Sequence, residues 1–291
     1  MTTDMNHPMH IVTTEKNGRP VLVADIGNTQ MVFGLYDGAA LLAYWRLSSA
    51  RDYTPDELAW QLHGMFSQSG YAATGMAGIM VASVVPHLDE PLAGACERIC
   101  GQRPAFVGGA EVKTGMAVDY KNPRDVGADR IANAVAARER FGTPVIVMDC
   151  GTATTFDVVS PAGHYAGGLI IPGPGIALSA LCRRAARLPE VTLVRSDVLI
   201  GRDTVSSMQA GSYWATVDAL TGLMTRLHGQ PGYEEAPVVA TGGVAELLIA
   251  DLPAVDHHLP HLALDGLNLL ACRHFCARRH TEGRAQPQGG E

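Results

Sequence analysis

The chain repeats one short plan at a domain-sized interval. "LVADIGNTQMVFGLYDG", from Leu22, and "VMDCGTATTFDVV", from Val147, each carry an apolar run into an aspartate, then a glycine, a threonine-bearing turn and a second apolar run. Asp25 and Asp149 are 124 residues apart. That interval far exceeds the roughly 20 to 50 residues of a solenoid repeat and points to a duplicated domain. An acid at a strand tip beside a Gly/Thr turn offers a carboxylate for a cation, with N–H and hydroxyl groups for anionic oxygens. A solvated hairpin turn uses the same residue types. A plan that occurs once in each half-chain favours the first reading, two hairpins embracing a nucleotide in a cleft between domains.

The punctuation between and after the hairpins is mixed α/β. "YTPDELAWQLHGMFSQSG" has Thr54 as N-cap, Pro55 at the first helical position and Glu57 closing a capping box. Leu58, Leu62, Met65 and Phe66 then share a helical face that Gly70 ends. The pattern further predicts a strand over 78–85, helices over 89–100 and to about Phe141, strands over 145–148 and 155–159, and helices near 176–186 and 205–227. A strand over 238–241, a helix over 244–250 and a last helix from about Leu264 follow. With 291 residues two domains are expected. The Gly142–Pro144 punctuation marks their junction. The boundaries read as a flexible extension over 1–20, domains over 21–142 and 143–279, and a disordered tail over 280–291 that is polar and rich in Gly and Pro.

Several function classes are excluded. A formal net charge of −7 and the lack of a Lys/Arg run argue against nucleic acid. No apolar stretch is long enough to span a membrane, and the N-terminus lacks a basic start and an apolar core. A cytoplasmic protein is expected. The cysteine pairs in "CERIC" and "CRHFC" have helical C-x3-C spacing rather than that of a zinc hairpin, so they read as reduced thiols. No Walker loop, dinucleotide fingerprint or protein-kinase signature is present.

Two further stretches carry chemistry. "YKNPRDVGADR", Tyr120 to Arg130, gathers a phenol, an amide, basic groups and acids before an Ala-rich helix. Gly127 permits close approach, and Asp129 and Arg130 open the helix, where an anion is favoured and a guanidinium can reach a carboxylate or phosphate. Arg130 beside it is expected to keep Asp129 ionised. Asp129 also reads simply as a first-turn helix acid with Arg130 in a surface pair. "VVATGGVAELL" sets Thr241, Gly242 and Gly243 between strand and helix, either for close approach to an adenosine or as an ordinary turn.

Taken in order, "DIGNT", "YKNPRDVGADR", "DCGTATTFD", "GGLIIPGPG", "LPEV", "GRDTVSSMQAG", "TGG" and "LDGL" make the chain resemble the type III pantothenate kinases from about Leu22 to Cys272. These are members of the superfamily of acetate and sugar kinases, heat-shock chaperones and actin. The resemblance implies an α/β fold of two duplicated actin-like ATPase (ribonuclease H-like) domains with a nucleotide cleft between them. It implies ATP-dependent phosphorylation of pantothenate to 4'-phosphopantothenate, the first step of coenzyme A biosynthesis, by a homodimer. A kinase or phosphohydrolase of the same superfamily acting on another small molecule is the alternative among enzymes. The family also resembles the Bvg accessory factor, which makes a non-catalytic regulator linked to transcription the alternative outside them.

The implied roles fall on particular residues. Asp25, Ile26, Gly27, Asn28, Thr29, Gln30, Met31 and Val32 resemble the first phosphate loop, with Asp25 turned toward Mg2+ through water. Thr152 resembles the ATP-contacting threonine of the second loop, and Asp149 the ligand of a monovalent cation, K+ or NH4+. Tyr120, Gly127, Ala128, Asp129, Arg130 and Thr204 resemble the pantothenate pocket, with Asp129 as general base. By the resemblance that pocket lies near the dimer interface. Asp203 stands where the family commonly has Asn, Ala210 where it has Ser, and Gln30 where a basic or other polar residue often follows the loop.

Overall fold

A computed structural model describes residues 19–282. The expectations for 1–18 and 283–291 lie outside the described residues. The chain forms two compact units. The first runs to Gly115 and takes in Arg124–Ala132 and the chain from Ala263; the second comprises Met116–Pro123 and Asn133–Leu262.

In the first unit β1 (Val21–Ile26), β2 (Gln30–Asp37) and β3 (Ala40–Ser48) form an antiparallel meander. β4 (Gly78–Ser83) and β5 (Ala105–Phe106) extend the sheet parallel to β1, giving the order β3-β2-β1-β4-β5. Parallel neighbours need crossovers, supplied by α1 (Pro55–Gln68) before β4 and α2 (Asp89–Cys100) before β5. The capping box expected for α1 is formed: Thr54 Oγ1 accepts from the Glu57 N–H at 3.2 Å, and the Glu57 carboxylate accepts from the Thr54 N–H at 2.9 Å. Leu58, Leu62 and Phe66 on α1 share one core with Leu22, Ala24 and Ile26 on β1. Each side chain of Leu or Phe size contributes about 1.5–3 kcal/mol when fully buried.

The chain leaves this unit through α3 (Ala128–Phe141), whose residues up to Ala132 belong to the first unit and whose remainder belongs to the second. The second sheet repeats the wiring. β6 (Val145–Cys150), β7 (Ala153–Val159) and β8 (Tyr165–Pro172) are an antiparallel meander. β9 (Val238–Thr241) and β10 (His257–His258) continue in parallel, giving β10-β9-β6-β7-β8. α4 (Pro174–Arg184) and the long α5 (Thr204–His228) connect β8 to β9, and α6 (Ala245–Leu248) with a following 3-10 turn connects β9 to β10. Tyr213, Val217, Leu220 and Met224 of α5 form the core with Ile146, Met148 and Phe156.

The closing helix α7 (Leu262–Glu282) belongs to the first unit. Asp265 there accepts from Tyr36 Oη at 2.7 Å, and Asn268 Nδ2 donates to the Gly38 carbonyl at 2.8 Å. The fold is therefore the duplicated α/β architecture expected from the two hairpins. Strands β3 and β8, each third in its meander, are not marked by the sequence pattern. Among the described residues no helix is long and apolar enough to cross a membrane.

Candidate active site

The two aspartates of the repeated plan occupy equivalent places. Asp25 is next to last in β1 and pairs in register with Val32 on β2 and Ala82 on β4. Asp149 is next to last in β6 and pairs with Thr155 on β7 and Thr241 on β9. In each case the following glycine closes a tight turn: Gly27 N–H donates to the Gln30 carbonyl and Gly151 N–H to the Ala153 carbonyl, both at 3.0 Å.

The first loop is open. Asn28, Thr29 and Gln30 are exposed, whereas Ile26 and Met31 are buried in the core and have only backbone to offer. Val32 lies on β2, half-buried. A methyl at Gly27 would sit 3.2 Å from the Gln30 carbonyl oxygen, a tight but adjustable contact.

The second loop is enclosed by backbone from two sides. Gly242, at φ +91°, passes directly over it: a methyl there would overlap Asp149 Oδ1 and lie 2.6 Å from the Cys150 carbonyl group. From the segment after β8 the Gly173 N–H donates to the Thr152 carbonyl at 3.1 Å, and a methyl at Gly173 would lie 2.5 Å from the Gly151 oxygen. The "TGG" stretch lies against the Asp149 loop. Thr152 itself is exposed. Asp149 Oδ2 accepts a hydrogen bond from Nδ2 of Asn133 at 2.9 Å. The neighbouring Cys150 is buried, and burial pushes its thiol up to about 12, so it is inert near neutral pH.

Asp129 lies in the first turn of α3, with Ala128 as the first helical residue. Its Oδ1 accepts from the backbone N–H of Arg130 at 2.8 Å. The carboxylate folds back over Gly127, where any Cβ would collide with it. Arg130 favours the ionised form of this acid, as expected of a neighbouring guanidinium, but burial opposes it and is the larger effect. Desolvation raises the Asp129 pKa, against the lowering effects of the Arg130 N–H and charge. Arg130 is itself buried, which a surface pair would not be.

In the second unit the Tyr120 ring lies against Gly167, a residue at φ +120°, and meets Tyr165 edge-on at 6.3 Å. Tyr165 is fixed by its hydroxyl, which donates to the buried Asp157 at 2.7 Å, and by backbone bonds to Ala117 and Asp119. Thr204 begins α5 and lines a cavity of about 1000 Å3 together with Pro174, Leu178, Asp203 and Met208. Tyr120 is not among the residues that line it. Asp203, one of the departures from the family pattern, caps α5: its side chain accepts from the Ser206 N–H at 2.9 Å. Asp serves that position as well as Asn does. Ala210 is buried on α5, and Gln30 is exposed. Gly173 falls in the "GGLIIPGPG" motif without a role read from it, and the sequence pattern does not mark Asn133 or Tyr165. The one signal it carries is an asparagine inside an Ala-rich helix, a poor helix former in such a place.

Two like-wired α/β units, each turning at an aspartate and a glycine, have the fold found in actin-like ATPases and sugar kinases. In agreement, the activator of 2-hydroxyisocaproyl-CoA dehydratase from Clostridium difficile, solved with bound ADPNP, shares the fold at a TM-score of 0.54 and 11% identity, over 93% of this chain and 100% of that one. The family model for type III pantothenate kinase matches residues 21–226. Type III pantothenate kinases from Moorella thermoacetica and Geobacter sulfurreducens are 44% and 42% identical to it, over 86% of this chain and 98% and 97% of theirs. The chain belongs to the type III pantothenate kinase family.

Proposed function

We propose that this chain transfers the terminal phosphoryl group of ATP to the primary hydroxyl of pantothenate, giving 4'-phosphopantothenate for coenzyme A synthesis. The observation that carries the reading is the register equivalence of Asp25 and Asp149, each at a strand tip beside a glycine turn, in a chain of this family. Phosphoryl transfer asks a protein for alignment and charge stabilisation more than for covalent chemistry. Backbone N–H groups and the hydroxyls of Thr29 and Thr152 are suited to phosphate oxygens, with Asp25 toward Mg2+ through water.

The residues fit such an ion. Among the described residues no three His, Cys, Asp or Glu side chains gather around one point. Magnesium commonly keeps several waters and binds one or two carboxylates plus substrate phosphates, and it needs no protein cage. Asp149, a hard oxygen ligand, is assigned to the monovalent cation, K+ or NH4+. When bound, these cations neutralise charge on the phosphates. Tyr120, Gly127, Ala128, Arg130 and Thr204 are assigned to pantothenate. Asp129 accepts the proton of the attacking hydroxyl, a task its raised pKa suits better than an ordinary aspartate would.

The active form is proposed to be a cytoplasmic homodimer. Supporting the dimer, Leu199 and Ile200 are 74% and 82% exposed, with Val198, Leu181, Ile176 and Ile170 also exposed in the second unit, large apolar side chains of the kind a subunit interface would cover.

The test is incubation of the protein with ATP, Mg2+ and K+ against pantothenate, glycerol, acetate or water, with products read by mass spectrometry. Phosphopantothenate as the main product is expected. Equal ATP loss without pantothenate would make the chain a phosphohydrolase, and no ATP turnover at all would favour a regulator.

A further inference from the structure

We propose that Asn133 is a positioning residue that aims the Asp149 carboxylate, a role that rests on reading the Asp149 loop as a phosphate and cation site. Asn133 lies one helical turn after Asp129 on α3 and is only 1% exposed. An ionised carboxylate only accepts hydrogen bonds, so the amide must turn its NH2 group to Asp149 Oδ2, at 2.9 Å. The opposite carboxylate oxygen, Oδ1, is thereby directed to the side where Gly242 and Gly151 bring backbone closest.

The amide is expensive to keep. Its carbonyl Oδ1 is enclosed and accepts no hydrogen bond from any described residue. Unpaired buried acceptors cost stability, and asparagine is a poor residue for a helix interior otherwise built of Ile131, Ala132, Ala134 and Val135. A leucine of similar size would fill the space at lower cost to the helix. What leucine could not do is hold Asp149 in one orientation, and that gives the asparagine its reason. The Asp149 carboxylate, on this account, is set by two constraints from opposite sides, a hydrogen bond from α3 and the glycine backbone after β9.

A double-mutant cycle tests this. Wild type, Asn133→Leu, Asp149→Asn and the double variant are titrated with a non-hydrolysable ATP analogue by calorimetry, in KCl and in choline chloride, with thermal unfolding as the control for folding. Each single variant is expected to bind the analogue about tenfold more weakly in KCl, the size of one charged hydrogen bond. The double variant is expected to be no weaker than Asp149→Asn, and Asn133→Leu to lose most of the gain in affinity that KCl gives over choline. A structural role alone would shift unfolding and leave the KCl response intact. Should the leucine variant fail to fold, Asn133→Ala enters the same cycle. Additive losses, or wild-type affinity in Asn133→Leu, would overturn the role of Asn133 while leaving the loop reading standing. Wild-type affinity in Asp149→Asn would overturn the loop reading and this proposal together.

Discussion

The loops at Asp25 and Asp149 share topology and register yet differ in what surrounds them. The first is framed by its own strands, and its tip residues are exposed. The second is overlaid by Gly242, closed by Gly173 and bonded by Asn133. Duplication fixed where the two acids stand, whereas their surroundings, supplied by other segments, set what each can do. The difference teaches that a motif repeated in sequence need not be a function repeated in space. α7 spends its first-turn acid, Asp265, on Tyr36, while the first-turn acid of α3, Asp129, is held by backbone beside a glycine and keeps a raised pKa.

The largest effect expected is on that second contrast. Asp129→Asn keeps the size of the side chain and removes the proton acceptor, so kcat should fall by on the order of 10²- to 10⁴-fold while ATP and pantothenate still bind. The same variant should be more stable than wild type at neutral pH. Burial raises the Asp129 pKa in the fold, so the folded state bears the cost of keeping this acid charged at any pH above the raised value. That cost is absent below the unfolded pKa, where wild type is protonated too. The gain in melting temperature should therefore be full above the raised pKa and fade as pH falls through it into the ordinary carboxylate range. Near-normal turnover would assign Asp129 to helix capping. A loss of stability at neutral pH would contradict the burial argument.

A smaller effect sharpens the contrast between the loops. Gly242→Ala places a methyl against backbone in a left-handed conformation, and should cost about 2–4 kcal/mol in urea unfolding. Gly27→Ala meets one carbonyl oxygen at 3.2 Å and should cost about 1 kcal/mol or less. Equal costs would mean that the second loop is no more enclosed than the first.

Much of this is legible in the sequence alone. Asp25 and Asp149 announce themselves because strand, acid, glycine and turn are neighbours along the chain, and the α1 capping box is local in the same way. What escapes depends on distant segments. β8, "YAGGLIIP", contains two glycines and a proline, which disguise a strand as a turn. β3 is an edge strand whose partly exposed side chains show only a weak alternation. Gly173 and Gly242 look like ordinary turn residues until the loop they cover is brought beneath them. Asp203 stands in the sequence as a departure from the family pattern and proves to cap α5, because capping is read from φ, ψ and a hydrogen bond rather than from residue identity. For Asp129 the sequence shows its neighbour Arg130 but not that Arg130 is buried and the half-exposed acid desolvated, and that desolvation decides the direction of its pKa shift.

The central claim is that two aspartates equivalent in register have different duties. Initial rates of phosphopantothenate formation, measured for wild type, Asp25→Asn and Asp149→Asn across KCl from zero to saturation with sodium or choline as the balancing cation, test it most directly. The activity of wild type and the residual activity of Asp25→Asn are both expected to rise with K+, while the residual activity of Asp149→Asn stays flat. A K+ response preserved in Asp149→Asn, or lost equally in both variants, would contradict it.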